Sequence, residues 1–221
     1  MTSPRRLEAF SDGVFAIAIT LLVLDLVVPP PAEIKPGGLR AALVQEWPSY
    51  FAYLVSFLVI GIIWVNHQAM FDKVRSVDRP TLFANLGLLL TVSVIPFPTR
   101  LLADYLTAGS DAHLAAAVYS ATMLAMGVAY SVLWIAITRN AALLHEHIDA
   151  RASRAALRRF GVGTVVYLGT IGLAFVNAVA CLAVHGTLAI YYCFDQLPVA
   201  SSGTPTPAGT PPPAPPAGGH P

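Results

Sequence analysis

Long apolar segments separated by short polar ones dominate the pattern of this chain. A helix that crosses the hydrocarbon of a bilayer needs about 20 mostly apolar residues. Segments of this kind lie at residues 7–28, 50–70, 81–102, 114–137, 160–176 and 178–194. We therefore predict an all-α integral membrane protein with six transmembrane helices per subunit, forming one domain over residues 1–197.

Prolines mark several boundaries of these segments. Pro29–Pro31 follow the first segment, and Pro80 stands where a first-turn proline would open the third. The sequence VIPFPT, residues 94–99, predicts a bend or frayed turn near the far end of the third helix. The 35 residues from Phe160 to Phe194 carry no Asp, Glu, Lys or Arg. They are too long for one span, so we predict a tight turn near Asn177 between two short spans.

Composition agrees with a membrane protein and excludes several other classes. The chain is 56% hydrophobic and 11% charged, whereas soluble domains carry about 25% charged residues. A net charge of +1 gives no reason to expect nucleic acid as a partner. Cys181 and Cys193 are about 18 Å apart along a helix, so we predict two buried, unpaired thiols. Residues 198–221 are rich in Pro, Gly, Ala, Ser and Thr, which predicts a disordered tail.

Basic residues are distributed unevenly between the two sides of the predicted helices. Of the 13 Lys and Arg residues, ten fall before the first span, between the second and third, or between the fourth and fifth. Cytoplasmic loops are enriched in Lys and Arg. The pattern therefore predicts a multi-pass protein of the cell membrane with both termini in the cytoplasm.

The first predicted helix has two different faces. At about 100° per residue, Ile17, Leu21 and Leu24 fall within about 60° of arc, and we call these three residues the apolar ladder. Thr20 borders the ladder, whereas Asp12 lies nearly opposite to it. A carboxylate at membrane depth is expected to find a partner inside the protein. Spacing alone leaves ordinary packing or lipid contact open for the ladder, and a capping or ion-paired role open for Asp12.

Short motifs in the first three spans resemble the prokaryotic relatives of the animal endolysosomal potassium channel. The first span contains the pattern R-x-x-x-F-S-D, the second contains IIWVNHQAMF, and the third contains NLGLLLTVSVIPFPT. The likeness extends from about Arg5 to Arg159 and weakly through the last two spans. The matching positions are Arg6, Phe10, Ser11, Asp12, Trp64, His67, Asn85 and Ser93.

The resemblance implies a homotetramer with K⁺ as its permeant ion and a central pore lined by the first helix of each subunit. These channels lack a TVGYG-type filter, and this sequence contains no such stretch. Carried over residue by residue, the pore constriction maps onto Ile17, Leu21 and Leu24, and Thr20 can help coordinate a partly dehydrated ion. We expect a leak-like conductance, because no arginine-rich span suggests a voltage sensor, and the resemblance adds a proton leak through the same pore. It implies no cofactor, and no metal beyond transient K⁺.

Polar residues of the motif are predicted to hold the first three spans together. Because buried polar groups need hydrogen-bonding partners, we predict a buried network within the first three spans. Asp12 points away from the ladder and is expected to act in assembly rather than in ion selection. The predicted members are Arg6, Ser11, Asp12, His67, Asn85 and Ser93.

Two other functions stay open on the sequence alone. One is a proton-coupled membrane transporter that uses Asp12 and His67 as proton carriers. The other is a non-conducting membrane scaffold whose working part is the Pro-rich tail. An enzyme is not expected, because the sequence offers no recognisable pairing of a nucleophile with a base and no cluster of metal ligands.

Overall fold

The computed structural model describes residues 4–26, 28–31, 38–144 and 150–195, and within these ranges the regular elements are helices. They are α1 (Pro4–Leu21), α2 (Gly38–Gln45), α3 (Trp47–Phe71), α4 (Arg79–Val94), α5 (Pro96–Tyr105), α6 (Ser110–Thr138), α7 (Ala150–Ala174) and α8 (Ala178–Asp195). Short 3₁₀ turns cover Leu22–Asp25 and Ala141–Leu143. The predicted tail, residues 198–221, lies outside the described residues.

Four segments are long and apolar enough to cross a membrane. They are Pro4–Asp25, Trp47–Phe71, Arg79–Tyr105 and Ser110–Thr138. Two shorter apolar helices, Gly163–Ala174 and Ala178–Cys193, follow within the described part of the chain. The fold is therefore all-helical with at least these four candidate spans, as the hydropathy pattern predicted.

The first helix differs from its predicted form at its far end. The α-helix ends at Leu21 and tightens into a 3₁₀ turn over Leu22–Asp25, whereas the prediction had one helix over residues 7–28. Tightening into 3₁₀ geometry is common in a last helical turn. Pro29 restricts the residue directly before it and cannot continue the helix, so it does not explain why the α-helix ends eight residues earlier, at Leu21.

The third predicted span consists of two helices that meet at Ile95. The amide of Ile95 bonds to the carbonyl of Val92 at 3.1 Å, which is a tightened turn. Pro96 and Pro98 have no N–H to continue the ladder of helical hydrogen bonds. Regular helical bonding resumes at Thr99, whose amide and hydroxyl both donate to the carbonyl of Ile95, at 3.1 and 2.8 Å.

Helix α7 begins before the predicted fifth span, residues 160–176. Residues 150–159 precede that span and form the first turns of α7. Their sequence, ARASRAALRR, is rich in alanine and arginine, which are among the strongest helix formers. The chain turns between α7 and α8 at residues 175–177, and Asn177 caps α8 by accepting the amide of Ala180 at 2.9 Å.

The core lies between α6 and the helices around it. Helix α6 packs against α4, α5, α7 and α8, while α1 packs against α3 and α4. Its buried positions include Tyr119, Met123 and Leu133. One of the two predicted buried thiols is wrong: Cys181 is buried, but Cys193 is exposed. Cys193 stands in the last turn of α8, where few neighbouring elements remain to cover it.

Two connections on the same side of the bundle are joined by backbone bonds. Val74, after α3, forms a single antiparallel bridge with Leu144, after α6. The amide of Arg75 donates to the carbonyl of Leu143 at 2.6 Å. Asp78 then caps α4 by accepting the amide of Thr81 at 3.0 Å, and hydrogen bonding from Thr81 lowers the pKa of Asp78.

Candidate functional site

The apolar ladder of α1 lies on an edge that the rest of the subunit leaves uncovered. Ile17 is 61% exposed, Leu21 is 42% exposed and Leu24 is 72% exposed. Phe10 extends the same exposed edge toward the start of the helix. These are large apolar side chains with no partner surface on the described part of their own subunit, so the edge is available to another molecule.

The opposite edge of α1 is buried against the bundle. Its buried positions recur at helical spacing, about 120° around the helix from the ladder: Leu7, Ser11, Phe15, Ala18 and Leu22. Burial changes completely between adjacent residues, since Leu21 is exposed and Leu22 has no exposed surface. We call these buried residues, with Asp12 beside them, the anchored edge.

Thr20 flanks the ladder and is exposed. Its hydroxyl donates to backbone carbonyls of its own helix, with distances of 2.9 Å to Ala16 and 2.9 Å to Ile17. A hydroxyl that gives its hydrogen to the backbone keeps its oxygen lone pairs available. Thr20 therefore presents an acceptor oxygen beside the ladder, which is the atom that a cation would require.

A buried hydrogen-bonded chain joins α1, α3 and α4. The amide nitrogen of Asn85 donates to the hydroxyl oxygen of Ser11 at 3.0 Å, and the Asn85 carbonyl oxygen is 2.8 Å from Nε2 of His67. Ser11 in turn donates to the carbonyl of Leu7 at 2.8 Å. All three side chains are fully buried. The contact requires Nε2 of His67 to carry the proton, because the amide oxygen can only accept.

Aromatic rings surround the imidazole of this chain. The ring of Phe15 meets His67 edge-on with centroids 5.4 Å apart, and the ring of Phe71 lies 4.5 Å away. Nδ1 of His67 is buried without a hydrogen-bond partner. The packing holds the imidazole between α1 and its own helix, as expected for a residue that fixes helix positions.

Asp12 is held by α3 through two donors. The indole N–H of Trp64 donates to Oδ1 at 2.9 Å, and the side-chain amide of Gln68 donates to the same oxygen. Trp64 and Gln68 are four residues apart, so both face α1 from one side of α3. The carboxylate is thus bound to the bundle rather than directed along the ladder.

The predicted polar network is present in part. Ser11, His67 and Asn85 are joined, and Asp12 lies beside them with Trp64 and Gln68 as its partners. Ser93 is exposed and donates to the carbonyl of Leu90 in its own helix at 2.9 Å, so the structure does not place it in the network. Arg6 is exposed in the first turn of α1 and is likewise outside the network. Ser93 was wrongly assigned because it shares a motif with Asn85, although eight residues along a helix separate them by about 12 Å.

A second buried polar cluster was missed by the sequence analysis. The hydroxyl of Ser56 lies 2.7 Å from that of Thr99 and 3.0 Å from that of Tyr119, joining α3, α5 and α6. Nearby, the hydroxyl of Ser120 lies 3.0 Å from Nε2 of His185 on α8. Each of these residues stands alone in an apolar stretch of its helix. The only sequence signal for their burial is that they lie on the same face of the helix as buried apolar residues.

No site for a resident metal is evident in the part of the chain that the structure describes, where His, Cys, Asp and Glu form no group of three or more. Ser11 and Asp12 join α1 to α3 and α4, whereas Thr20 bonds only its own helix. The remaining chemical feature of α1 is an exposed apolar edge with a hydroxyl oxygen at its border.

Comparison with known proteins identifies the family of this chain. The family model of the endosomal/lysosomal potassium channel TMEM175 matches residues 6–96. A potassium channel from Streptomyces collinus is 53% identical over 199 residues, which cover 90% of this chain and 96% of that relative. The chain belongs to the TMEM175 family. It is therefore a multi-pass integral membrane protein, and the resemblance seen in its first three spans is confirmed.

Other members of the TMEM175 family extend the comparison. The crystal structure of a lysosomal potassium-selective channel TMEM175 homologue from Chamaesiphon minutus superposes with a TM-score of 0.78 at 38% identity, covering 88% of this chain and 98% of that one. The human endosomal/lysosomal proton channel TMEM175 is 43% identical over 98 residues, which are 42% of this chain and 18% of the human protein. The stretch matched by the family model includes both edges of α1 and the residues of α3 and α4 that hold it.

Proposed function

We propose that this chain is the subunit of a potassium-selective, leak-like channel. Four subunits place their α1 helices around a common axis, and the apolar ladder forms the narrowest part of the pore. The observation that carries the proposal is the contrast within α1: one edge is fixed to the bundle by buried polar bonds, whereas Ile17, Leu21 and Leu24 are left uncovered. Relatives named as potassium channels support K⁺ as the permeant ion.

Small residues beside the ladder favour a protein neighbour over lipid. Gly13, Ala16 and Thr20 lie on the same exposed flank of α1. In membranes, helices associate where small residues allow their backbones to approach closely. A second copy of α1 can therefore pack along this flank and bring the ladder of each subunit toward the axis.

A ring of branched apolar side chains can select among cations without a cage of carbonyl groups. A narrow apolar constriction excludes hydrated ions by dewetting. K⁺ sheds its water more easily than the smaller Na⁺, so a tight ring favours K⁺. The hydroxyl oxygen of Thr20, whose hydrogen is given to the backbone, replaces part of the lost hydration.

The proposed subunit crosses the membrane six times with both termini in the cytoplasm. The two shorter apolar helices, Gly163–Ala174 and Ala178–Cys193, supply the fifth and sixth spans. The exposed basic residues Lys73, Arg75, Arg79 and Arg139 then lie on the cytoplasmic side, as the positive-inside rule requires.

Protons are a second permeant species of the same pore. The observation that favours this is the match to the human relative, which is named a proton channel. A proton-coupled transporter that uses Asp12 and His67 is disfavoured, because Asp12 accepts two hydrogen bonds from α3 and His67 is buried against Asn85 and two aromatic rings.

Flux of K⁺ into liposomes tests the proposal. Wild type is expected to pass K⁺ in preference to Na⁺, and Ile17→Asn is expected to raise flux and weaken that preference, because a polar side chain wets the constriction. Leu168→Asn on α7 is a matched control: both residues are 61% exposed, but Leu168 is remote from α1. Equal changes in both variants, or no ion movement by wild type, would contradict the pore assignment.

Deletion of residues 198–221 separates a channel from a scaffold that works through its tail. A channel conducts equally well without this segment, since its pore is formed by α1. Loss of flux in a truncated protein that still purifies as the same oligomer would favour the scaffold.

A further inference from the structure

A cavity of about 70 Å³ lies between α3, α6, α7 and α8, away from α1. Its walls are almost entirely apolar and include Val59, Ile63 and Met126. A water-sized group needs roughly 10–15 Å³ by this measure, so the cavity holds a run of several methylene groups. Polar side chains line one part of its wall, namely Asn66, Tyr130, Thr164 and Tyr192.

Small residues create this space. Gly127, Gly163 and Ala189 line the cavity from three different helices. A Cβ added at Gly163 would lie 2.9 Å from the hydroxyl of Tyr192, so a larger residue there would displace this side chain. The cavity is therefore lined by small residues of three helices and would be narrowed by larger ones.

The cavity lies toward the end of the bundle that carries most of the positive charge. At about 1.5 Å per residue, Gly163 is about 6 Å along α7 from Arg159, and Tyr130 is about 14 Å along α6 from Arg139. The distance from a phospholipid phosphate to the upper part of its acyl chains is of this size, since the headgroup regions of a bilayer are several ångströms deep.

Four cationic side chains at this end are exposed: Lys73, Arg75, Arg79 and Arg139, which we call the basic surface. Within the described residues, the ion pair found is Arg100–Asp104 at the other end of the bundle, and none of these four cations forms one. Asp72 and Asp78 are the acidic residues beside them, and the carboxylate of Asp78 already caps α4. The first turns of α7 contain Arg151, Arg154, Arg158 and Arg159.

The backbone holds the basic surface in a defined arrangement. The Val74–Leu144 bridge and the bond from the Arg75 amide to Leu143 fix the connection after α3 against the connection after α6. Arg139, at the end of α6, and Arg75 are therefore carried by two segments that cannot separate without breaking this pairing. Cationic side chains on a rigid frame lose less freedom when they bind an anion.

We propose that this region binds an anionic phospholipid of the adjacent leaflet, with its phosphate on the basic surface and part of one acyl chain in the cavity. Clusters of Lys and Arg next to membrane helices attract anionic headgroups. The apolar walls of the cavity fit an acyl chain, and the part of the wall lined by polar side chains fits the ester region between acyl chain and phosphate. The site is separate from α1, so binding does not depend on the proposed pore.

Binding is tested on the purified full-length protein in detergent, by native mass spectrometry with phosphatidylglycerol and phosphatidylcholine of identical acyl chains. Phosphatidylglycerol is expected to bind more tightly. Arg75→Gln and Arg139→Gln are each expected to lower its affinity roughly five-fold, and a triple variant that adds Arg79→Gln roughly 100-fold, with little change for phosphatidylcholine. Arg40→Gln, on the exposed α2 helix, is the matched control and should change neither affinity.

The cavity is tested by filling it. Ala189→Leu is expected to weaken phosphatidylglycerol binding several-fold without removing the preference for negative charge. Gly127→Ala is the milder variant, because its added Cβ would meet Thr164 at 3.5 Å and the Tyr167 ring at 3.7 Å, which are ordinary contact distances. It keeps the test usable if Ala189→Leu does not fold.

Three results would overturn the proposal. They are equal affinity for the two lipids, unchanged binding in the triple arginine variant, and unchanged binding in both cavity variants. Inorganic phosphate serves as the probe for a free anion. If it displaces the lipid at micromolar concentration, the region is a site for a soluble anion rather than a lipid.

Discussion

The two edges of α1 use the same helix in opposite ways. The anchored edge buries Ser11 and Phe15, and through Asn85 and His67 it reaches both α3 and α4. The ladder edge makes no such contacts, and Ile17 and Leu24 stand more than half exposed. The difference lies in which edge α3 and α4 cover, since Leu21 is exposed whereas the adjacent Leu22 is buried.

The difference between the two edges meets two requirements of a helix that lines a pore: a fixed position in the bundle and an uncovered side toward the ion path. A helix that faces an ion path must keep its position although one side has no packing partner within its own subunit. Hydrogen bonds between helices fix position and rotation more specifically than apolar contacts, which have little driving force inside a bilayer. The polar residues Ser11 and Asp12 thus fix the rotation of α1, and in the proposed pore the ladder selects the ions that pass.

The largest effect is expected from neighbouring leucines on the two edges. Leu22→Ala should destabilise the protein by on the order of 2 kcal/mol, because it leaves a cavity at a fully buried position. Leu21→Ala should change stability little but raise K⁺ flux, because it widens the constriction. Thermal denaturation in detergent and liposome flux, measured on both variants, check the pair. A more unstable Leu21→Ala than Leu22→Ala would reverse our assignment of the edges.

A smaller loss is expected when the buried hydrogen-bonded chain is cut. Asn85→Ala should cost about 1–2 kcal/mol, because Ser11 and His67 each lose a bond inside the membrane. Ser93→Ala is the control on the same helix, since Ser93 is exposed and bonds only its own turn in this structure. Its melting temperature should match wild type. Comparable losses in both variants would show that α4 is destabilised by any such change.

Replacement of Asp12 tests whether this residue acts in assembly or in ion selection. Asp12→Ala removes the acceptor of Trp64 and Gln68 and should lower the yield of assembled oligomer. Asp12→Asn keeps an acceptor oxygen and should be milder. The K⁺ over Na⁺ preference of assembled protein should be unchanged in both, as read from liposome flux. Normal assembly with altered preference would place Asp12 in the ion path instead.

The smallest effect concerns the start of α4, which carries Asn85. Asp78→Ala should cost about 1 kcal/mol through loss of the helix cap. Because hydrogen bonding lowers the pKa of Asp78 below its ordinary value of 3.8, the cap contributes fully above that value and is lost as pH falls through the lower folded pKa. Asp78→Asn should retain most of the cap and lose this acid sensitivity, which melting curves between pH 3 and pH 6 would reveal.

The sequence predicted the helical class and the orientation of α1 because both depend on local rules. Apolar length indicates a span, and 100° per residue places Asp12 away from Ile17 whatever the partners are. The same rule could not tell which side of α1 is covered. That depends on α3 and α4, which supply Trp64, Gln68 and Asn85 from distant parts of the chain.

Long-range pairing explains the errors as well. Ser93 shares a motif with Asn85 but stands two turns away, on an exposed face of α4. The cluster of Ser56, Thr99 and Tyr119 joins three helices, and no local pattern links residues separated by 43 and 63 positions. The 3₁₀ turn over Leu22–Asp25 has no local signal in the sequence, because the prolines after it begin only at residue 29.

The last two helices have a consequence for the membrane around them. The uncharged stretch of α7 runs from Phe160 to Ala174, and the apolar part of α8 from Ala178 to Cys193, which at 1.5 Å per residue correspond to about 22 and 24 Å. A typical hydrocarbon layer is about 30 Å thick, and such a mismatch is relieved by a thinner bilayer or by long side chains that extend to the interface. As the proposed fifth and sixth spans, these two helices make this side of the subunit suited to a thin membrane, so bilayer thickness becomes a physical variable of the protein's environment.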